Sequence, residues 1–134
     1  LGIEPQIVRL AVANATAIDL ERMRKALLKV EAASSDAEDF SKSDAEFHLA
    51  LAECTRNRLM VWLYQLINET RTHDQWVEMK ESILIPDRIS KYNAHHRHLF
   101  NMIAKRDLHS ALDTIYEHLD QARNDLVGAS HRGR

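Results

Sequence analysis

Between Gly2 and Gly128 this chain of 134 residues contains no glycine. Glycine is the residue that most readily adopts the left-handed backbone of tight hairpin turns and phosphate-binding loops. The gap therefore excludes a P-loop, a dinucleotide-binding fingerprint and the nucleophile elbow of α/β-hydrolases. It also disfavours a sheet-rich fold, because such a fold needs several tight turns. The length suits one domain with a real hydrophobic core.

Charge and cysteine content narrow the class of protein further. Lys and Arg number 18 against 20 Asp and Glu, for a net charge of −2, and we do not expect the chain to bind nucleic acid by itself. The single cysteine, Cys54, excludes an internal disulfide and fits a cytoplasmic protein. The longest apolar run, residues 59–64, is far shorter than the roughly 20 residues that span a membrane.

Hydrophobic periodicity predicts helices along the whole chain. The first is expected from Pro5 to Ala15, with proline in its first turn. The second is expected to start at an N-cap, Thr16, and to reach Glu31. The clearest break that follows is the polar segment 34–36.

Later boundaries are indicated by capping residues and proline. After a third helix through residues 40–52, Asn57 is expected to start a fourth, which residues 71–74 interrupt or kink. Pro86-Asp87 marks the next boundary, and Asp107 is expected to cap the last helix. We therefore predict an all-α fold, an antiparallel bundle of six or seven helices.

The chain has eight histidines, and their helical faces sort them into two groups. Five occupy polar, boundary or terminal positions: His73, His95, His98, His109 and His131. The other three, His48, His96 and His118, share faces with apolar residues and are predicted to point inward. Asp44 lies on the same inward face as His48, one turn before it.

Four inward polar groups can be explained in two ways. Each can find its own hydrogen-bond partner in the core, or the four can bind one divalent ion with nitrogen and oxygen ligands. The spacing alone leaves both alternatives open. Zn, Ni, Mn and Fe all accept such ligands, so the sequence does not name the metal.

Two other metal sites are excluded in their usual form. No Asp or Glu is followed by His three residues later, which rules out the Glu-x-x-His pairs of di-iron bundles. The HExxH motif is absent as well. Nothing resembles the strained nucleophile turn of a Ser-His-Asp hydrolase, and we assign no catalytic residue.

Three stretches resemble the ligand-binding domain of FadR-type transcription regulators of the GntR family. These are the opening IEPQIVRLAVANATAIDLERM, then DAEFHLALAECTRNRLM, and HHRHLFNMIAKRDLHSALDTIYEHL. The second resembles that domain's D-x-x-F-H-x-x-L-A-x-x-x-x-N signature. The third resembles its H-R-x-I-x-x-A-I-x-x-x-D-x-x-x-A-x-x-x-x-x-x-H-L segment. Together they cover the domain from end to end.

The resemblance implies a metal-dependent sensor. Domains of the metal-dependent branch of this family bind a divalent metal through one Asp and three His. Those positions match Asp44, His48, His96 and His118 here. The metal and neighbouring polar groups hold a small organic acid in such domains, and binding of this acid changes DNA binding by a separate winged helix-turn-helix domain. We do not expect that N-terminal domain within residues 1–134. We do expect a cytoplasmic homodimer that contacts DNA only through that domain and does not bind membranes.

This sequence departs from the family pattern at several positions. His95 replaces a residue that is commonly Glu, so it could alter the surroundings of the metal ligands. Thr55-Arg56 stands where Ser-Gly is usual, and this could change the local turn. Leu99 and Met102 stand where the pattern has Ile and Ala, and both changes keep an apolar side chain. None of these changes removes a ligand.

Candidate effector-binding residues are Tyr92, one turn from His96, and the cations Arg9 and Arg88. Each could equally be a packed tyrosine or a surface arginine. Two alternative functions remain open: a metal-dependent hydrolase, since an open site can activate water, and a dimerisation module with a structural metal. Trp62, Trp76 and Met79 could form an interface, but we expect them in the core.

Overall fold

The computed structural model describes residues 2–33, 36–70 and 82–132, which form six α-helices and no strand. The helices are α1 (Ile3–Asn14), α2 (Ala17–Ala32), α3 (Ala37–Glu53), α4 (Arg58–Thr70), α5 (Pro86–Ala104) and α6 (Leu108–Arg132). The all-α prediction is confirmed, and the expected interruption at residues 71–74 lies outside the described part of the chain. None of the described helices is long and apolar enough to cross a membrane.

The predicted capping residues start the helices as expected. Thr16 and Asp19 form a reciprocal capping box at α2, in which each side chain accepts a hydrogen bond from the other residue's backbone N–H. The side chains of Asp36, Asn57 and Asp107 accept hydrogen bonds from the first-turn N–H groups of α3, α4 and α6. These local bonds explain why the boundaries could be read from the sequence.

The core is built around α1, which packs against α3, α5 and α6. The α2 helix packs against α3 and α5. The largest fully buried side chains include Ile7, Met23, Leu27, Phe40, Phe47, Leu51, Tyr64, Ile89, Leu99, Ile103 and Ile115. This packing places the three helices that carry the inward histidines around one common partner.

The α4 helix is less well covered than the others, and it packs mainly against α3. Leu59 and Trp62 are each 55% exposed and Leu66 is 39% exposed, whereas Tyr64 is fully buried. The expectation that Trp62 lies in the core is therefore wrong, because the apolar side of α4 extends beyond its contact with α3. Trp76 and Met79 lie outside the described residues.

Two arginines occupy left-handed backbone positions that glycine usually takes. Arg56, after α3, has φ 56°, and Arg106, after α5, has φ 61°. The Arg56 guanidinium lies 3.3 Å from Asp19 Oδ1. The Arg106 guanidinium donates to the Val12 carbonyl at 2.9 Å and also to the Ala15 carbonyl. The turn at Thr55-Arg56 is thus formed without the usual glycine.

These two positions give a paired stability test. Arg56→Gly removes left-handed strain and an ion pair whose guanidinium is largely exposed, so we expect unfolding stability to stay equal or rise by up to ~1 kcal/mol. Arg106→Gly removes the same strain but also deprives two carbonyls at the end of α1 of a charged donor. We expect it to be about 1–2 kcal/mol less stable than Arg56→Gly in urea unfolding. Equal stability of the two variants would contradict this assignment.

Candidate metal and effector site

The four inward polar residues meet at one place in the bundle. Asp44 and His48 lie one turn apart on α3, His96 lies on α5 and His118 on α6. All four are buried, and one potential ligand atom from each lies within 4.8 Å of the others. The structure thus brings together the four residues whose helical faces predicted that they point inward.

The Asp44 carboxylate is shared by two imidazoles. Its Oδ1 atom lies 2.9 Å from His96 Nε2 and 3.3 Å from His48 Nε2. The ring centroids of His48, His96 and His118 lie 5.0–5.6 Å apart. Three imidazoles from three helices therefore surround one edge of a single carboxylate.

The donor set fits a divalent metal. Ligands bound at about 2.0–2.2 Å from one ion lie within about 4.4 Å of each other. The four candidate ligand atoms lie within 4.8 Å of one another, so small side-chain rotations would bring them into this range. The His96 Nε2 atom is buried and makes no hydrogen bond of normal geometry, despite its closeness to Asp44. A buried nitrogen lone pair beside a carboxylate and two further imidazoles is suited to coordination.

The outer nitrogen of His48 contacts a carboxylate from the first turn of α1. His48 Nδ1 lies 3.5 Å from Glu4 Oε2, and both side chains are buried. A carboxylate beside Nδ1 favours a proton on that atom, which leaves Nε2 to face Asp44. Glu4 was not predicted from the sequence, because an acidic residue in a first helical turn ordinarily interacts with the helix dipole.

The outer nitrogen of His96 contacts an amide on the same helix. Asn93 Nδ2 donates to the Val30 carbonyl at 3.4 Å, which directs Asn93 Oδ1 toward His96 Nδ1 at 3.1 Å. This orientation of the amide favours the tautomer in which His96 Nδ1 is the donor, and in that tautomer Nε2 can bind a metal. Asn93 was also missed, although its position one turn before His96 is a signal that the sequence contained.

The outer nitrogen of His118 contacts another histidine. His118 Nδ1 and His95 Nδ1 lie 3.2 Å apart, and His95 Nε2 lies 3.8 Å from Glu117 Oε1. The nearby Glu117 carboxylate favours the tautomer of His95 with the proton on Nε2, and in that tautomer His95 Nδ1 accepts a hydrogen bond from His118 Nδ1. The Nε2 atom of His118 is then unprotonated and can bind a metal ion. His95, which stands at a departure from the family pattern, thus has a defined contact with a candidate ligand.

The pKa values of the three imidazoles diverge. Burial lowers the pKa of His48, but the adjacent Glu4 and Asp44 carboxylates outweigh burial and raise it to about 9. Burial lowers the pKa of His96 despite the contact with Asp44. Burial, together with the neighbouring His96 and His48, lowers the pKa of His118 well below its ordinary value. Without a metal the cluster therefore carries its proton charge on His48.

The cluster opens onto a cavity of about 670 Å³, a size typical of small-molecule sites. Asp44, His48 and His118 line the cavity, whereas His96 lies deeper and is 1% exposed. Side chains from α1, α3, α5 and α6, together with Ile83 and Leu84, form the walls. A molecule bound in this cavity would have direct access to three of the four candidate ligands.

The three candidate effector residues lie in different surroundings. Tyr92 is buried in the cavity wall, and its hydroxyl donates to Asp125 on α6. Arg9 also lines the cavity, at an exposed position. Arg88 is not part of the lining; its Nε lies 3.6 Å from Asp125 Oδ1, and it donates to the Ile83 carbonyl at 3.3 Å.

A helical bundle whose buried polar cluster faces an internal cavity is organised as a small-molecule-binding domain. The family model of the FCD domain matches residues 1–121, and the chain belongs to this family. FCD domains are effector-sensing regulatory domains of GntR-family transcription regulators rather than enzymes. This agrees with the resemblance seen in the sequence.

The relatives carry the names of transcription regulators. The Uxu operon transcriptional regulator of Escherichia coli K12 is 26% identical over 132 residues, which cover 96% of this chain and 51% of the relative. The regulator LutR of Bacillus subtilis 168 is 28% identical over 132 residues, with coverage of 94% and 58%. This chain thus spans about half the length of its curated relatives.

A solved structure, E. coli McbR/YncC, has a similar fold. Its TM-score is 0.75 at 19% identity, and the match covers 95% of this chain and 63% of the other. At this identity the likeness supports the helical fold alone.

The raised pKa of His48 predicts how metal affinity depends on pH. A metal must displace the His48 proton below a pH of about 9, so the apparent affinity should rise about tenfold per pH unit from neutral pH and level off above about 9. Competition with a chromophoric chelator between pH 6.5 and 10 measures this. A plateau already at pH 7 would show that His48 titrates like an ordinary histidine.

The contact of His95 with the outer nitrogen of His118 predicts that His95 affects metal binding without touching the metal. His95→Leu removes the acceptor for His118 Nδ1–H and should weaken metal affinity by about 10–100-fold, whereas His95→Gln keeps an acceptor and should restore most of it. His98→Leu, at an exposed position on the same helix, is the matched control. Nitrogen-15 NMR should place the His118 proton on Nδ1. Wild-type affinity in His95→Leu would refute this role.

Proposed function

We propose that this chain is the sensing domain of a FadR-subfamily regulator of the metal-dependent branch. In this proposal Asp44, His48, His96 and His118 hold a divalent ion, and a small carboxylate effector binds in the adjacent cavity. The observation that carries the proposal is the opening of a buried Asp–His cluster onto a cavity of ligand size. Zn, Ni, Mn and Fe are all compatible with nitrogen and oxygen ligands.

The protein supplies ligands that are already oriented. Contacts with Glu4, Asn93 and His95 hold the Nδ1 side of each imidazole, so that the Nε2 atoms face inward. A bound divalent ion would supply a positive, Lewis-acidic centre for a carboxylate oxygen. An ion held by four protein ligands keeps room for such an oxygen if its coordination number exceeds four.

The cavity wall also connects the site to other parts of the bundle. Tyr92 on α5 donates to Asp125 on α6, and Gln121 and Arg88 contact the same carboxylate at 3.0 Å and 3.6 Å. A ligand that displaces or tightens Tyr92 would act on the contact between these two helices. If one arrangement of the helices binds the effector better, the effector raises its population by that difference in affinity.

The remaining parts of the proposal concern the longer protein. We expect DNA to be bound by a separate winged helix-turn-helix domain, in keeping with the name of LutR as an HTH-type regulator. We also expect a cytoplasmic homodimer, for which the exposed apolar side chains Leu59, Trp62 and Leu66 of α4 offer a contact surface. Arg9, at the exposed side of the cavity, is a candidate partner for the effector.

Metal content and carboxylate binding test the proposal together. Elemental analysis of the purified protein should find close to one divalent ion per chain, and His96→Ala should lose most of it. Calorimetric titration with acetate and citrate should show binding to the metal-loaded protein. Removal of the metal by a chelator should abolish that binding, because the ion is the carboxylate's main partner.

His98→Ala is the matched control, since it removes an exposed histidine from the same helix. It should keep both metal and carboxylate binding. The chelated wild-type protein provides a second comparison if His96→Ala folds poorly. A wild-type protein without metal, in which His96→Ala changes neither stability nor carboxylate binding, would overturn the proposal. Turnover of a carboxylate substrate would contradict the sensing role.

A further inference from the structure

We infer that the effector of this domain is a carboxylate with an apolar body, such as a medium-chain or aryl-substituted acid, and not a polyhydroxylated acid. The inference rests on the proposed function, since it assumes that the acid group binds at the Asp–His cluster. It concerns the rest of the ligand, which the walls of the cavity must accommodate.

The inner wall of the cavity is largely apolar. Beyond the candidate metal ligands, its buried and half-buried side chains are Pro5, Phe40, Ile83, Leu84, Leu119, Ala122 and Leu126, together with Glu4 and Tyr92. Three of these, Leu119, Ala122 and Leu126, recur at helical spacing along α6. A continuous apolar stripe of the last helix therefore faces the cavity.

The two polar side chains on this inner wall already have partners. Glu4 contacts His48 Nδ1 at 3.5 Å, and the Tyr92 hydroxyl donates its proton to Asp125. The other lining residues with polar groups are exposed and lie toward solvent: Gln6, Arg9, Tyr116, Asp120 and Arg123. Hydrogen-bonding groups are thus concentrated at the mouth of the cavity and at the Asp–His cluster, and the wall between these two regions has few.

This distribution penalises hydroxyl groups along the ligand chain. A hydroxyl group that leaves water without gaining a hydrogen bond destabilises the complex, whereas methylene groups on the same wall gain free energy from burial. The cavity of about 670 Å³ is also much larger than an acid of two or three carbons requires. Both observations favour a larger acid whose body is apolar.

A matched pair of acids tests the inference on the wild-type, metal-loaded protein. 2-Hydroxyhexanoate and gluconate have the same carbon chain and the same α-hydroxycarboxylate head, and they differ only in the hydroxyls along the remainder. Any contact of the head with the ion is therefore common to both. Calorimetry should find 2-hydroxyhexanoate bound about tenfold or more tightly than gluconate.

A variant of the wall should reduce this preference. Leu119→Gln places an amide on the apolar stripe and should weaken 2-hydroxyhexanoate binding by about tenfold, while gluconate binding is not weakened. Leu112→Gln is the matched control, because Leu112 is a half-buried leucine of the same helix outside the cavity lining. It should leave the ratio of the two affinities unchanged.

Failure of the inference and failure of the proposed function give different results. Gluconate binding as tightly as 2-hydroxyhexanoate, or more tightly, and only in the presence of the metal, would overturn the apolar-body inference and leave the sensor proposal intact. Binding of neither acid, nor of acetate or citrate, to protein with a full complement of metal would overturn both. A preference for 2-hydroxyhexanoate that Leu119→Gln diminishes and Leu112→Gln does not would support the inference.

Discussion

The burial of one carboxylate among three imidazoles constrains the rest of this bundle. An unpartnered buried charge is costly, so Asp44, His48, His96 and His118 must compensate one another or bind an ion. They come from three different helices, so compensation is achieved only if α3, α5 and α6 meet in one register. The opposite pKa directions of His48 and His118 show that the cluster accommodates positive charge unevenly. A divalent cation in this position would replace a single proton with a larger positive charge.

The scarcity of glycine has a second consequence, visible at the ends of the helices. A left-handed residue is needed after α3 and after α5, and arginine takes both positions. In each case the long side chain makes a distant contact, with Asp19 from Arg56 and with the end of α1 from Arg106. The two arginine side chains thus connect these turns to α2 and α1, which glycine could not do.

Local features of the structure were predictable from the sequence, and distant contacts were not. The caps at Thr16 and Asp107 depend on bonds within one helical turn, and the inward faces of the three histidines follow from helical period. The approach of Glu4 to His48 joins residues far apart in the chain, and no spacing rule encodes it. The prediction that Trp62 is buried failed for a related reason. The amphipathic period of a helix does not say how much of its surface the neighbouring helices cover.

Binding of one metal ion by Asp44, His48, His96 and His118 underlies the proposed sensing role. X-ray absorption spectroscopy of the purified protein, at the edge of whichever metal elemental analysis identifies, tests it most directly. If the four side chains bind the ion, the spectrum should show scattering from three imidazole rings and nearest nitrogen and oxygen neighbours at about 2.0–2.2 Å, and His96→Ala should lose this signal. A first shell of oxygen alone, without imidazole scattering, would contradict it.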